Sequence, residues 1–282
     1  MILHAVFIWL AICVLAVANG AFREGMLKSR LGEPVAHVIS TLSLSTLIFV
    51  VTFLSIGWIG PQSIEQAWAV GVGWLMMTLA FEFLAGHYLF GNPWEKILAD
   101  YRVTRGRVWL LVPICTLFAP AMAFRGIPAQ YAVPYAISLA IASSILLLTI
   151  TRHAAARWIV TLIFAYAAIY NTWLGLTKPE EYQGFAELAL IPWYREFITG
   201  PLLASQGQFI VMIAIGQGIV ALTTALGGRL LIIGVLGTTA FLAGIAPLGV
   251  GSAFPFSALV TLAAWVYLGA LTTTGPGGRP DP

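Results

Sequence analysis

Apolar residues in this chain form long, nearly unbroken runs with short polar punctuation, not the alternation of half-buried strands or the single stripe of surface helices. Nine runs, near 2–19, 39–60, 67–90, 108–124, 129–150, 157–176, 207–226, 229–247 and 254–274, are long enough to span roughly 30 Å of hydrocarbon as helices. The pattern predicts an all-α, polytopic transmembrane helical bundle of about nine spans. Composition agrees: 60% of the 282 residues are hydrophobic and 9% are charged, whereas about a quarter are charged in soluble domains. A bilayer can cover that much apolar surface, and one soluble core cannot.

Charge then orients the bundle. AVA at 16–18 resembles a signal-peptidase site, but residues 1–4 hold no Lys or Arg, and Arg23, Lys28 and Arg30 follow the first run. That order suits a retained helix with its N-terminus outside. On that assignment the cytoplasmic side holds Arg23, Lys28, Arg30, Lys96, Arg102, Arg105, Arg107, Arg152, Arg157, Arg229 and Arg279. The outer side holds Arg125, Lys178 and Arg195. Eleven against three satisfies the positive-inside rule, and an odd span count carries it through to a cytoplasmic C-terminus. The formal charge of +3 therefore belongs to loops near anionic membrane lipid, and no nucleic-acid motif is present.

Gly126 and Pro128 divide the chain into a four-helix half, 1–126, and a five-helix half, 127–282. Two connections are more than linkers. In 91–107, Asn92 is placed to cap a helix with Pro93 in its first position and Glu95 in its third. Trp94, Ile97, Leu98 and Tyr101 then share a face, predicting an amphipathic cytoplasmic helix over 91–106 that rests on lipid. In the outer segment 177–206, Thr177 and Glu180 have capping-box spacing, and Tyr182, Trp193 and Tyr194 suit an interfacial belt, or a lid or docking surface for an extracytoplasmic partner. The tail GPGGRPDP, 275–282, is expected to be disordered. Gly237, Ala240 and Gly244 share a face and predict close helix packing.

The candidate chemistry is sparse. Glu82 lies about 5 Å past the midpoint of the third run and His87 about 13 Å past it, so Glu82 is at hydrocarbon depth and must be neutral, paired or hydrogen-bonded. The first loop returns to the same face, which predicts one polar cluster of Asn19, Arg23, Glu24, His37, Glu82 and His87, with an Arg23–Glu82 bridge as its simplest form. A structural brace competes with three functional readings: haem ligation by His37 and His87, metal binding with Glu24 and Glu82, or a proton, quinone or lipid-headgroup role for Glu82. Asn171, Gln208 and Gln217 form a second polar set, either bonding across helices or lining a pocket beneath the aromatic segment.

Absences narrow the field further. Asp100 and Asp281 are the only aspartates, so the paired-aspartate magnesium sites used on diphosphates are missing, and the sequence has no G-x-S-x-G, P-loop or H-E-x-x-H motif. Cys13 and Cys115 are not a C-x-x-C pair. No catalytic residue and no metal site is assigned.

Residues 157–274, opening with Arg157 in ARWIVTLIFAYAAIYNTWLGL and followed by KPEEYQGF, resemble the DoxX-like family of small membrane proteins. The resemblance implies a four-helix membrane bundle, with named members associated with quinone-linked sulfur oxidation. That family often has Gly and Lys near the end of its first helix, where this chain has Asn171 and Thr172. The first half, with NGAFREG, LGEPVAH and FEFLAGHY, is similar to bacterial polytopic membrane proteins, an affinity that implies no activity. The sequence reading is a bacterial inner-membrane accessory or scaffolding subunit without catalytic chemistry, bound to membrane lipids and other subunits of a complex. A quinone-linked redox component and a carrier of a small hydrophobic solute are the alternatives.

Overall fold

The computed structural model describes residues 1–273; the expected disordered tail, with Arg279 and Asp281, lies outside them. Among the described residues the chain is all-helical and has no strand. It packs as two compact units, Met1–Ala129 and a second beginning at Gln130.

The first unit contains α1 (Ile2–Phe22), the short α2 (Lys28–Leu31), α3 (Glu33–Ile59), α4 (Ile64–Ala80), the one-turn α5 (Trp94–Ala99) and α6 (Leu111–Arg125). Gly60 ends α3 in the left-handed conformation that a Cβ disfavours. Ser63 starts α4 by accepting the Gln66 backbone N–H at 3.3 Å, while the Gln66 side chain returns to the Gln62 N–H at 2.8 Å. Buried Leu44, Ile48, Val70, Val112 and Ala119 form the core around Trp74. The Trp74 indole N–H donates to the Ala5 carbonyl at 2.9 Å, and Trp9 donates to Thr78 Oγ1 at 3.0 Å, which pins α1 to α4. At residue 71 the two backbones of α4 and α6 come so close that a Cβ would strike the Leu117 carbonyl. Only glycine fits there.

The second unit contains α7 (Ala129–Thr151), α8 (His153–Thr177), α9 (Gln183–Leu188), α10 (Pro192–Phe197), α11 (Gln208–Leu226), α12 (Leu231–Ile245) and α13 (Phe256–Thr273). Part of its core is Leu231, Val235, Ala264 and Tyr267, with Trp265 donating to Thr239 Oγ1 at 3.0 Å.

Seven helical stretches are long and apolar enough to cross a membrane, and Leu111–Arg125 and Phe256–Leu271 are shorter apolar helices. Large apolar side chains face outward along them; Leu54 is 83% exposed and Ile2 75%. In water that surface would be unfavourable at roughly 25 cal/mol per Å². Against lipid it has no such cost. The helices suit a multi-pass membrane protein.

Both capping expectations are corrected. Pro93, not Asn92, holds the N-cap position of α5, and the Asn92 side chain instead accepts from Lys96 Nζ at 2.9 Å. The helix expected over 91–106 is regular only over Trp94–Ala99; past Asp100 the chain turns inward and forms a short 3-10 turn at Val103–Arg105. Thr177 stays inside α8, donating to the Trp173 carbonyl at 2.7 Å, so no capping box forms with Glu180. A helical Thr hydroxyl has its own i−4 carbonyl close by, and that local bond wins.

Candidate functional site

Two polar regions stand out, one in each unit. The first is at the end of α4, where the helix widens into a π-helix over Phe81–Leu89. Glu82 lies in this segment. Its carboxylate accepts the Trp109 indole N–H at 2.7 Å and a short hydrogen bond from the Tyr101 hydroxyl. Arg23 is not its partner: the guanidinium meets Glu24 Oε1 at 3.0 and 3.1 Å through two of its nitrogens. The expected Arg23–Glu82 bridge is therefore replaced by two neutral donors. They satisfy the carboxylate's acceptors without a second charge having to leave water.

The remaining predicted residues separate into local arrangements. Asn19 donates to Ser40 Oγ at 2.8 Å and to the Ser40 carbonyl at 3.0 Å, and it accepts from Ser43 at 3.1 Å. Glu24 opens a chain of ion pairs through Lys28 at 3.3 Å, Glu33 at 3.4 Å and Arg107 at 2.5 Å, ending at Asp100 at 3.9 Å. This chain ties the first turn-back to the segment before α6. Burial raises the Asp100 carboxyl above its ordinary range, against the pull of Arg107 and Arg23. Burial and the Glu82 hydrogen bond also raise the Tyr101 phenol, so it stays a donor.

Both imidazoles have partners within the chain. His37 is 1% exposed and its Nε2 accepts the Val108 N–H at 3.2 Å. His87 Nδ1 is 2.9 Å from the Asn92 carbonyl, and its ring stacks on Trp94 with centroids 4.2 Å apart. Among the described residues no three His, Cys, Asp or Glu side chains gather as a metal site. Trp94 and Tyr101 also stack on Phe83, with centroids 6.5 and 5.6 Å away, so these expected membrane-docking residues lie partly against their own unit.

The second region is a cavity of about 550 Å³ in the second unit, covered by the segment between α8 and α11. Tyr182, Phe185, Trp193 and Phe197 line it from that segment, Asn171 from α8, and Ala240, Phe241 and Gly244 from α12. Asn171 Nδ2 donates to Gln217 Oε1 at 2.8 Å, and Asn171 Oδ1 accepts the Tyr182 hydroxyl at 2.9 Å. Tyr194 donates to the Gly244 carbonyl at 2.5 Å. Burial pushes the Tyr182 phenol up to about 12, with Tyr170 as a smaller cause, which keeps it neutral and donating.

Asn171 and Gln217 thus meet, and Tyr182 joins them. Gln208 does not: it is exposed in the first turn of α11, bonded through its backbone N–H to Ser205. The small-residue face also divides, since Gly237 packs on Val220 while Ala240 and Gly244 open onto the cavity. Sequence reading missed Trp109 as a donor to Glu82. The available signal was an indole following the basic segment that returns to the face of Glu82.

No charged side chain lines the cavity. Its polar end retains one Asn171 amide N–H and the lone pairs of Tyr182 and Tyr194, groups that recognise a neutral oxygen-bearing molecule. It also has no Ser, Cys, His, Asp or Glu that could serve as nucleophile or base. No protein-family model, curated protein or solved structure matches the chain.

Proposed function

We propose that the protein is a nine-span inner-membrane component that binds an uncharged lipophilic molecule in the second unit, without transforming it. The observation carrying this reading is the aromatic cavity of about 550 Å³ whose only amide is Asn171, held by Gln217 and Tyr182. Such a site orients a ligand by one or two hydrogen bonds and excludes ions, because an unpaired charge there would lack any counter-charge. Its lack of Ser, Cys, His, Asp and Glu favours a carrier or accessory component over an enzyme. The DoxX-like resemblance over 157–274 makes quinones one member of the ligand class. The topology has the N-terminus outside, the C-terminus in the cytoplasm, and the aromatic segment on the outer face. The bacterial inner membrane follows from resemblance and loop charge.

The test is native mass spectrometry of gently solubilised protein, combined with calorimetric binding of tetramethyl-p-benzoquinone. The wild type should retain or bind one neutral lipophilic molecule, and both Asn171→Leu and Ile213→Trp should weaken binding at least tenfold. Equal binding by wild type and Ile213→Trp, which fills the cavity, would refute the site.

A further inference from the structure

At one end of the second unit the charge is unbalanced. Arg152 stands at the start of α8, Arg157 lies in its second turn, and Arg229 belongs to the turn between α11 and α12. Arg157 reaches that turn, since a Cβ at Gly227 would come within 2.8 Å of its Nη1. The described residues of this unit hold the carboxylates Glu180, Glu181, Glu187 and Glu196, all beyond the opposite end of α8. That helix has 25 residues and is about 37 Å long, several times the Debye length in physiological salt. Among the described residues none of the three guanidinium groups has an ion pair, and Arg157 Nε is buried without a hydrogen-bond partner.

The surroundings say what kind of anion fits. Behind Arg157, the space walled by Thr224, Thr238 and Tyr267 measures about 20 Å³, which admits one water. An anion as large as phosphate must therefore approach from outside. There Arg152 and Arg229 are exposed, and the Arg157 guanidinium carbon lies 5.0 Å from the centroid of the Trp158 ring. The adjoining surface is apolar: Trp158 and Leu162, one turn apart on α8, and Leu226 at the end of α11 are all exposed. A charged head meets guanidinium groups at one end, and hydrocarbon meets apolar side chains beside it. Arginine pairs with phosphate oxygens through two parallel N–H bonds.

We propose that this end of the second unit binds one anionic phospholipid. Its phosphate meets Arg157, with Arg152 and Arg229 as flanking charges, and an acyl chain lies along Trp158, Leu162 and Leu226. A zwitterionic lipid brings the same phosphate but adds an ammonium that three arginines repel. The site is independent of the aromatic cavity, whose lining holds no charge.

The experiment offers dioleoylphosphatidylglycerol or dioleoylphosphatidylcholine to the full chain, delipidated in nonionic detergent, and counts bound lipid by native mass spectrometry. The glycerol lipid should saturate at one per chain and bind at least tenfold more tightly than the choline lipid. Arg157→Gln should weaken it about fivefold or more, and Arg157→Lys, which keeps the charge without the fork, should weaken it less. Thermal unfolding checks that each variant folds. If Arg157→Gln does not, the exposed pair Arg152→Gln/Arg229→Gln carries the test, with an expected loss of at least fivefold. Equal binding of the two lipids, uptake without saturation, or wild-type binding by either folded glutamine variant overturns the site. Displacement of the glycerol lipid by an equal concentration of inorganic phosphate overturns the lipid assignment in favour of a free anion.

Discussion

Glu82 is a carboxylate inside an apolar run that is held by a phenol and an indole rather than by a cation. Removing one donor leaves part of a buried acceptor unsatisfied, so Tyr101→Phe and Trp109→Phe should each destabilise the protein by about 1–3 kcal/mol. Arg23→Ala breaks only an exposed pair with Glu24 and should cost less than about 0.5 kcal/mol. Unfolding followed in detergent separates the two, and a larger loss from Arg23→Ala would return the guanidinium to Glu82. Tyr182 gives a prediction in pH. Its phenol is raised from 10.0 to about 12, so the folded state holds the proton more tightly than the unfolded chain. Its contribution is complete below the ordinary value and is lost as pH rises toward 12. Ultraviolet titration should find one fewer late-titrating tyrosine in Tyr182→Phe than in the wild type, where Tyr101 and Tyr194 are also raised. At this scale the sequence announced that Glu82 and Asn171 needed partners but could not choose them. A hydrogen-bond donor carries no long-range signature, and Tyr101, Trp109 and Tyr182 all read equally well as interfacial aromatics.

Among the elements, the long helices were legible because each is a sustained apolar run, and all nine runs contain helix. The irregular segments were not. Residues 91–106 have a helical face on paper, yet Tyr101 turning in toward Glu82 and Arg107 pairing with Glu33 accompany a helix that stops after one turn. Local periodicity cannot register tertiary bonds that outweigh it. Helix crossings are equally hidden, although a glycine can mark one. A methyl group at position 71 would collide with the Leu117 backbone, while one at position 73 would meet open space. Gly71→Ala should therefore force α4 and α6 apart and destabilise by about 1–3 kcal/mol. Gly73→Ala should be neutral or stabilising by up to about 1 kcal/mol, through helix propensity alone. Thermal unfolding of the two variants side by side checks both, and a harmless Gly71→Ala would mean that the helices do not cross there.

For the molecule as a whole, sidedness turns on one short helix. Seven stretches have the length to cross a bilayer without help, but α6 has 15 residues and is about 22 Å long. If it failed to cross, every later loop would exchange sides, and Arg152, Arg157 and Arg229 would move outward while Lys178 and Arg195 moved in. Charge opposes that exchange. Arg102, Arg105 and Arg107 precede the helix and Arg125 ends it, so three cations against one favour a crossing with its start in the cytoplasm. On that topology the shortfall in length would be made up by Arg125, in the final turn, reaching toward the outer headgroups and by local thinning of the bilayer. Alkaline phosphatase fused after Gly106 should therefore be inactive and, fused after Pro128, active. Maleimide should reach a cysteine at position 184 from outside. If both fusions reported the same side, the aromatic cavity would open to the cytoplasm, and any ligand would have to be delivered and released there.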